Sequence, residues 1–210
     1  MDAAFREAVR AVAGIEAQRA AGTTISGVAV SAHEGTSYWL VINIGDSRTY
    51  RLADGVLEQI SVDHSAVQEL IEAGRLAPME AERHPERHVI TKAVGAGSQA
   101  EPDYWLIPAS AGDRLLVCSD GLSREVAVEV IEQVLIEEPA AEAAAIRLVH
   151  EALLGGGSDN VSVIVVDALS VLDAGSTDHQ LQTLPIAVTE LELDTIPRAV
   201  PQEGTSDGTA

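Results

Sequence analysis

The run YWLVINI, residues 38–44, is apolar at nearly every position. A strand with one wet face alternates apolar and polar residues, so a run like this needs cover on both faces. It stops at Gly45-Asp46. The same grammar recurs twice: LLVC, 115–118, stops at Ser119-Asp120-Gly121, and VSVIVVD, 161–167, follows GGGSDN. SRTYRL and VLEQI flank Ala53-Asp54-Gly55 and predict a hairpin. ISGVAVSAH, VITKAVG and DYWLIP read as further strands. Helices are predicted over residues 1–20, with Phe5, Val9 and Val12 on one face, and near 125–137 and 140–154. A further helix, SAVQELIEAG, takes its start from Asp63, His64 and Ser65 and its stop from Gly74. Residues 73–88 read as a polar, irregular surface segment. Strands dominate the middle and helices come in pairs, without βαβ alternation, which predicts an α+β layered fold.

At 210 residues the chain can bury a full core, here of Val, Ile, Leu and Ala, since only six residues are aromatic. A single cysteine excludes an internal disulfide framework and suits a reducing compartment. There is no apolar run of membrane-spanning length and no signal-peptide pattern at the start, so the expectation is a cytoplasmic protein with no membrane partner. The formal net charge of -20 opposes phosphate backbones and excludes nucleic acid as a partner. Residues 168–210 carry seven acids, one arginine and no aromatics. They read as an acidic, disordered tail, separate from a domain over 1–167.

Asp46, Asp120 and Asp159 each stand at the end of an apolar run, beside glycine or a small polar residue. Such an aspartate is a good turn residue. Three of them on one edge of a fold would instead repel unless a cation sat between them, and hard cations such as Mg²⁺, Mn²⁺ or Ca²⁺ take oxygen ligands of this kind. Spacing alone leaves both readings open. Soft-metal chemistry has little support, since the six histidines form no His-Glu-x-x-His pair and one cysteine builds no zinc site. Cys118 and Arg124 have the spacing of a cysteine-phosphatase loop, but Asp120 would then lie inside the anion cradle and oppose both phosphate and thiolate. Cys118 reads better as a small buried core residue.

Taken together, GTT (22–24), INIGDSRTYRL (42–52), QISVDHS (59–65), HPERHVITKAVG (84–95), GDRLLVCSDGLS (112–123) and GGGSDNVSVIVV (155–166) resemble the metal-dependent serine/threonine protein phosphatases, the PPM or protein phosphatase 2C family, in order and spacing. The resemblance covers about residues 1–167. It implies a β-sandwich flanked by helices in α-β-β-α layers, with Mn²⁺ or Mg²⁺ at one edge. It implies that Asp120 and Asp159 bind one metal, that Asp46 with Asp120 binds a weaker one, and that 73–88 is a flap beside the site. The implied reaction is hydrolysis of phosphoserine or phosphothreonine by a metal-bound water, with no catalytic side chain acting as nucleophile. The implied partners are phosphoprotein substrates and a serine/threonine kinase system. The family's Asn-Glu-Asp segment and its Asp-Gly-x-Gly-Gly-His segment, whose aspartate bridges two metals, are not among the 210 residues. The expectation is therefore a fold N-terminally truncated relative to the family. It is either a piece of a phosphatase or an inactive phosphatase-like binding or regulatory module, with little turnover from residues 1–210 alone.

Overall fold

The computed structural model describes residues 22–81, 83–95, 101–172 and 184–185. The helix predicted over 1–20 lies outside these residues. The strands are β1 (Ile25–His33), β2 (Thr36–Ile44), β3 (Arg48–Ala53), β4 (Val56–Gln59), β5 (Asp103–Pro108), β6 (Arg114–Cys118), β7 (Val163–Asp167) and β8 (Leu184–Pro185). They form two antiparallel four-stranded sheets, ordered β1-β2-β5-β8 and β4-β3-β6-β7. The described helices are α1 (Ala66–Glu72), α2 (Pro78–Ala81), α3 (Asp120–Ser123), α4 (Val128–Glu137) and α5 (Ala141–Gly155). None is long and apolar enough to cross a membrane.

The adjacent residues Leu115 and Leu116 show why β6 is apolar throughout. Side chains alternate faces along a strand. Leu115 joins Trp39, Val41 and Ile107 between the two sheets. Leu116 points the other way, with Tyr50, Leu52 and Cys118, into a second core closed by Leu122, Ile131, Val134, Leu135 and Leu148 of α3, α4 and α5. Full burial of each such side chain stabilises by about 1.5–3 kcal/mol. The architecture is thus the α+β sandwich with helices packed on it that the sequence predicts.

Turn chemistry agrees as well. Asp54 and Gly55 take φ of 51° and 78°, as a two-residue hairpin turn requires. Ser65 caps α1 by accepting from the Gln68 amide. VITKAVG differs from expectation: it forms no strand. Ile90 bridges Ser65 and Val94 bridges Thr23 as isolated pairs. Two partners in different directions preclude a continuous ladder. Past the expected boundary at 167, Ala168 exchanges backbone bonds with Gly112 and Asp113, and Leu172 bonds Ser37. Leu184–Pro185 extends the first sheet beyond β5. The rest of the tail lies outside the described residues.

Candidate metal centre

The chain passes from one sheet to the other at Gly45–Ser47, and that corner is fixed from several sides. Gly45 takes φ of 107°, and a Cβ there would lie 2.2 Å from the Thr24 side chain. Its N–H donates to His64 Nδ1 at 3.0 Å, and its carbonyl accepts from the His64 amide at 2.9 Å and the Asn43 amide group at 3.1 Å. Because Nδ1 accepts, the imidazole proton sits on Nε2, which donates to Asp103 at 2.9 Å. Asp103 also accepts from Lys92. Burial alone would raise the Asp103 carboxyl, but the His64 and Lys92 hydrogen bonds prevail and hold it below the ordinary range. Asp63, predicted to help start a helix, instead takes Arg48 in a forked pair at 2.7–3.0 Å.

Register then brings the aspartates together. Arg48 of β3 stands opposite Cys118 of β6 in an antiparallel pair. Two residues before Arg48 is Asp46; two after Cys118 is Asp120. Continuing the register sets one against the other. Asp120 does not end a strand, as expected, but opens α3. Asp159 does not open β7 either; it lies in the loop before Val163 and is exposed. That loop is held on α3 by Ser119, whose N–H donates to the Ser162 carbonyl and whose hydroxyl accepts from the Ser162 amide and reaches the Asn160 carbonyl. Glu125 accepts from the Ser158 hydroxyl on the other flank.

All three carboxylates meet one guanidinium. Arg124 Nη2 lies 2.7 Å from Asp120 Oδ2 and 3.1 Å from Asp46 Oδ2, and Nη1 lies 3.9 Å from Asp159 Oδ2. Burial, reinforced by the Asp120 charge, pushes the Asp46 carboxyl above its ordinary value despite Arg124. Among the described residues no three acids, histidines or cysteines close on an ion by themselves. The three carboxylates are spread around a guanidinium, which is wider than Mg²⁺ with its oxygens at about 2.0–2.1 Å. Carboxylate oxygens are the donor type that a hard metal ion takes.

Sequence reasoning missed three contributors: Arg124 as their common partner, His64 behind the Gly45 corner, and His88. Desolvation and then the charges of Arg124 and Arg87 lower the His88 imidazole, against Asp120 and Asp46. His88 and the end of the 73–88 segment therefore lie in electrostatic reach of the aspartates. Cys118 is buried, and burial raises its thiol to about 12. The native protein should resist alkylation at Cys118, and Cys118→Ala should bind Mn²⁺ as the wild type does. Rapid labelling of the folded chain by a thiol reagent would contradict this.

No family model matches the chain. It is 47% identical over 137 residues to the serine/threonine protein phosphatase PstP of Mycobacterium tuberculosis, which covers 65% of this chain and 26% of that protein. The chain thus spans about a quarter of the length of that curated relative. The crystal structure of the PPM Ser-Thr phosphatase MsPP from Mycobacterium smegmatis, solved with cacodylate, superposes with a TM-score of 0.71 at 38% identity, over 79% of this chain and 71% of that one. The catalytic domain of PstP in complex with two manganese ions superposes with a TM-score of 0.64 at 38% identity, over 81% of this chain and 66% of that one. The sandwich with its packed helices is the fold of the PPM phosphatases. The chain belongs to the PPM family of serine/threonine protein phosphatases.

Proposed function

We propose that this chain forms the cation-holding edge of a protein phosphatase that hydrolyses phosphoserine and phosphothreonine. The observation that carries the proposal is the meeting of Asp46 from the β2–β3 corner, Asp120 from the start of α3 and Asp159 from the loop before β7, around one positive group. The likeness to PstP, solved with manganese, supports it. A divalent cation such as Mn²⁺ or Mg²⁺ held there would supply Lewis-acid activation of water and of the phosphoryl oxygens.

The protein's part is placement. Gly45 and His64 fix the Asp46 corner, Ser119 fixes Asp120 against the 159–162 loop, and exposed Asp159 can adjust to the ion. The 73–88 segment ends within electrostatic reach of the aspartates, and there Arg87 can offer positive charge to a substrate phosphate. Phosphoproteins made by a serine/threonine kinase in the cytoplasm are the proposed substrates. The buried, unactivated Cys118 takes no part.

The test is Mn²⁺ binding by the folded chain, followed by hydrolysis of a phosphothreonine peptide. Mn²⁺ should bind, and Asp120→Asn should weaken that binding at least tenfold, a loss of about 1.4 kcal/mol. Turnover by the 210 residues alone should be low, because the bridging aspartate implied by the resemblance is not among them. Undiminished Mn²⁺ binding by Asp120→Asn would refute the proposal.

A further inference from the structure

Arg124 shares with Arg147 a set of carboxylate-only partners, but its three come from distant stretches of the chain. Arg51 is 9% exposed and pairs with buried Asp113. Arg114 forks onto Asp167 and also caps α4 through the carbonyls of Leu135 and Pro139. Arg48 forks onto Asp63 and reaches the Tyr50 hydroxyl. Arg48 and Arg114 are tied by several bonds into the sandwich, and Arg51 by one buried ion pair. The Arg124 side chain is 30% exposed, much as Arg48 is at 32%. Its described partners are the three carboxylates alone, and a single nitrogen serves both Asp46 and Asp120. It enters from the end of α3, one turn after Asp120.

We infer that Arg124 is the resident counter-ion of the acidic edge, displaced when a divalent cation binds, and that it thereby sets the affinity of the site for the cation. The inference rests on the cation-binding reading above. Three carboxylates and one guanidinium leave the cluster with two uncompensated negative charges. A divalent ion entering among the same oxygens would lie only a few ångström from the guanidinium, and like charges at that distance repel even in water. One of them must leave. Arg124 can, because among the described residues nothing else holds its head group and its side chain is 30% exposed. A monovalent ion would exchange one positive charge for another and gain little, whereas a divalent ion gains a further unit of charge. Arg124 therefore also favours divalent over monovalent cations. Without a cation, it keeps Asp46 and Asp120 from facing each other unpaired across the register.

The experiment titrates Mn²⁺ into the whole chain and follows the free-ion paramagnetic resonance signal, for the wild type, Arg124→Gln and Arg124→Lys. Arg124→Gln should bind Mn²⁺ about tenfold more tightly, since the competing charge is gone. Arg124→Lys should stay near the wild type. Without metal, Arg124→Gln should melt below the wild type, and its melting temperature should rise more on adding Mn²⁺. A residue with a merely structural role would lower the melting temperature without tightening Mn²⁺ binding. Equal or weaker binding by folded Arg124→Gln overturns the inference while leaving the cation site standing. Should neither protein bind Mn²⁺, the cation-binding reading falls, and this inference falls with it. A variant-free check follows the Arg124 guanidinium by nuclear magnetic resonance in the wild type during Mg²⁺ addition. Its signals should move to those of a solvent-exposed arginine, and unchanged signals during saturable Mg²⁺ binding would overturn the displacement.

Discussion

Asp113→Ala should leave little folded protein at physiological temperature. Asp113 is 2% exposed and holds three donors at once: Arg51 Nη2 at 2.8 Å, the Trp39 indole at 2.9 Å and the Ser110 amide at 2.9 Å. These groups come from both sheets, so the carboxylate stitches the sandwich where Trp39 and Leu115 pack. Removing it strands the Arg51 charge in the interior, where its Nε already has no partner. Breaking one side of a buried ion pair costs about 3–5 kcal/mol. The orphaned indole adds about 1–3 kcal/mol. Domains of this size are stable by only about 5–15 kcal/mol. A thermal melt should show a loss of roughly 10 °C or more, taking about 2–4 °C per kcal/mol for a domain of this length. Asp113→Asn, which retains an acceptor, should fall between. Pairing Asp113→Leu with Arg51→Met should recover part of the loss, because it removes the stranded charge. An Asp113→Ala protein melting within a degree or two of the wild type would contradict the role assigned to this contact.

Asp113 also marks the limit of what the chain discloses as a string of letters. Its neighbours Leu115 and Leu116 announce a strand buried on both faces, and the structure places them in two different cores. Asp113 itself carries no local sign of burial, because its side-chain partners lie 62 and 74 residues away. The metal edge divides in the same way. The wording of each aspartate's setting is local and legible, since an apolar run and a glycine turn are enough to expose a carboxylate. Their meeting depends on β3 and β6 pairing with Arg48 opposite Cys118, a long-range register that composition and periodicity do not encode. VITKAVG misleads for the converse reason. Its apolar residues satisfy the strand pattern, yet Ile90 and Val94 bridge different partners and Val89 stays exposed. Arg124 was legible only as a spacing from Cys118. Its side chain turns instead toward Asp46 and Asp120, because α3 begins at Asp120 and carries Arg124 round by one turn.

Gly121→Ala should damage the metal edge more than it damages the fold. The added Cβ would stand 2.3 Å from the Asn160 carbonyl oxygen and 3.0 Å from its carbon, both backbone atoms. Asn160 has no easy retreat. Ser119 binds the same loop through the Ser162 carbonyl at 3.0 Å and the Ser162 amide at 3.0 Å, and its hydroxyl reaches the Asn160 carbonyl at 3.2 Å. Relief of the overlap must stretch these bonds or lift the loop from α3. Overpacking of this kind costs about 1–3 kcal/mol, and each bond lost adds about 0.5–1.5 kcal/mol. Asp159 is the residue next to Asn160, so a lifted loop carries it away from Asp120 and Arg124. Mn²⁺ affinity should fall at least tenfold, beyond anything the lower melting temperature explains, and should fall even where the protein remains folded. Gly112→Ala is the matched control. Gly112 takes φ of 90° but has nothing within 4 Å of the added carbon. It should bring only the backbone strain of a left-handed alanine, about 1 kcal/mol, and leave Mn²⁺ binding unchanged. If Gly121→Ala kept both the melting temperature and the Mn²⁺ affinity of the wild type, the close approach of α3 to the 159–162 loop would not be what holds Asp120 and Asp159 together.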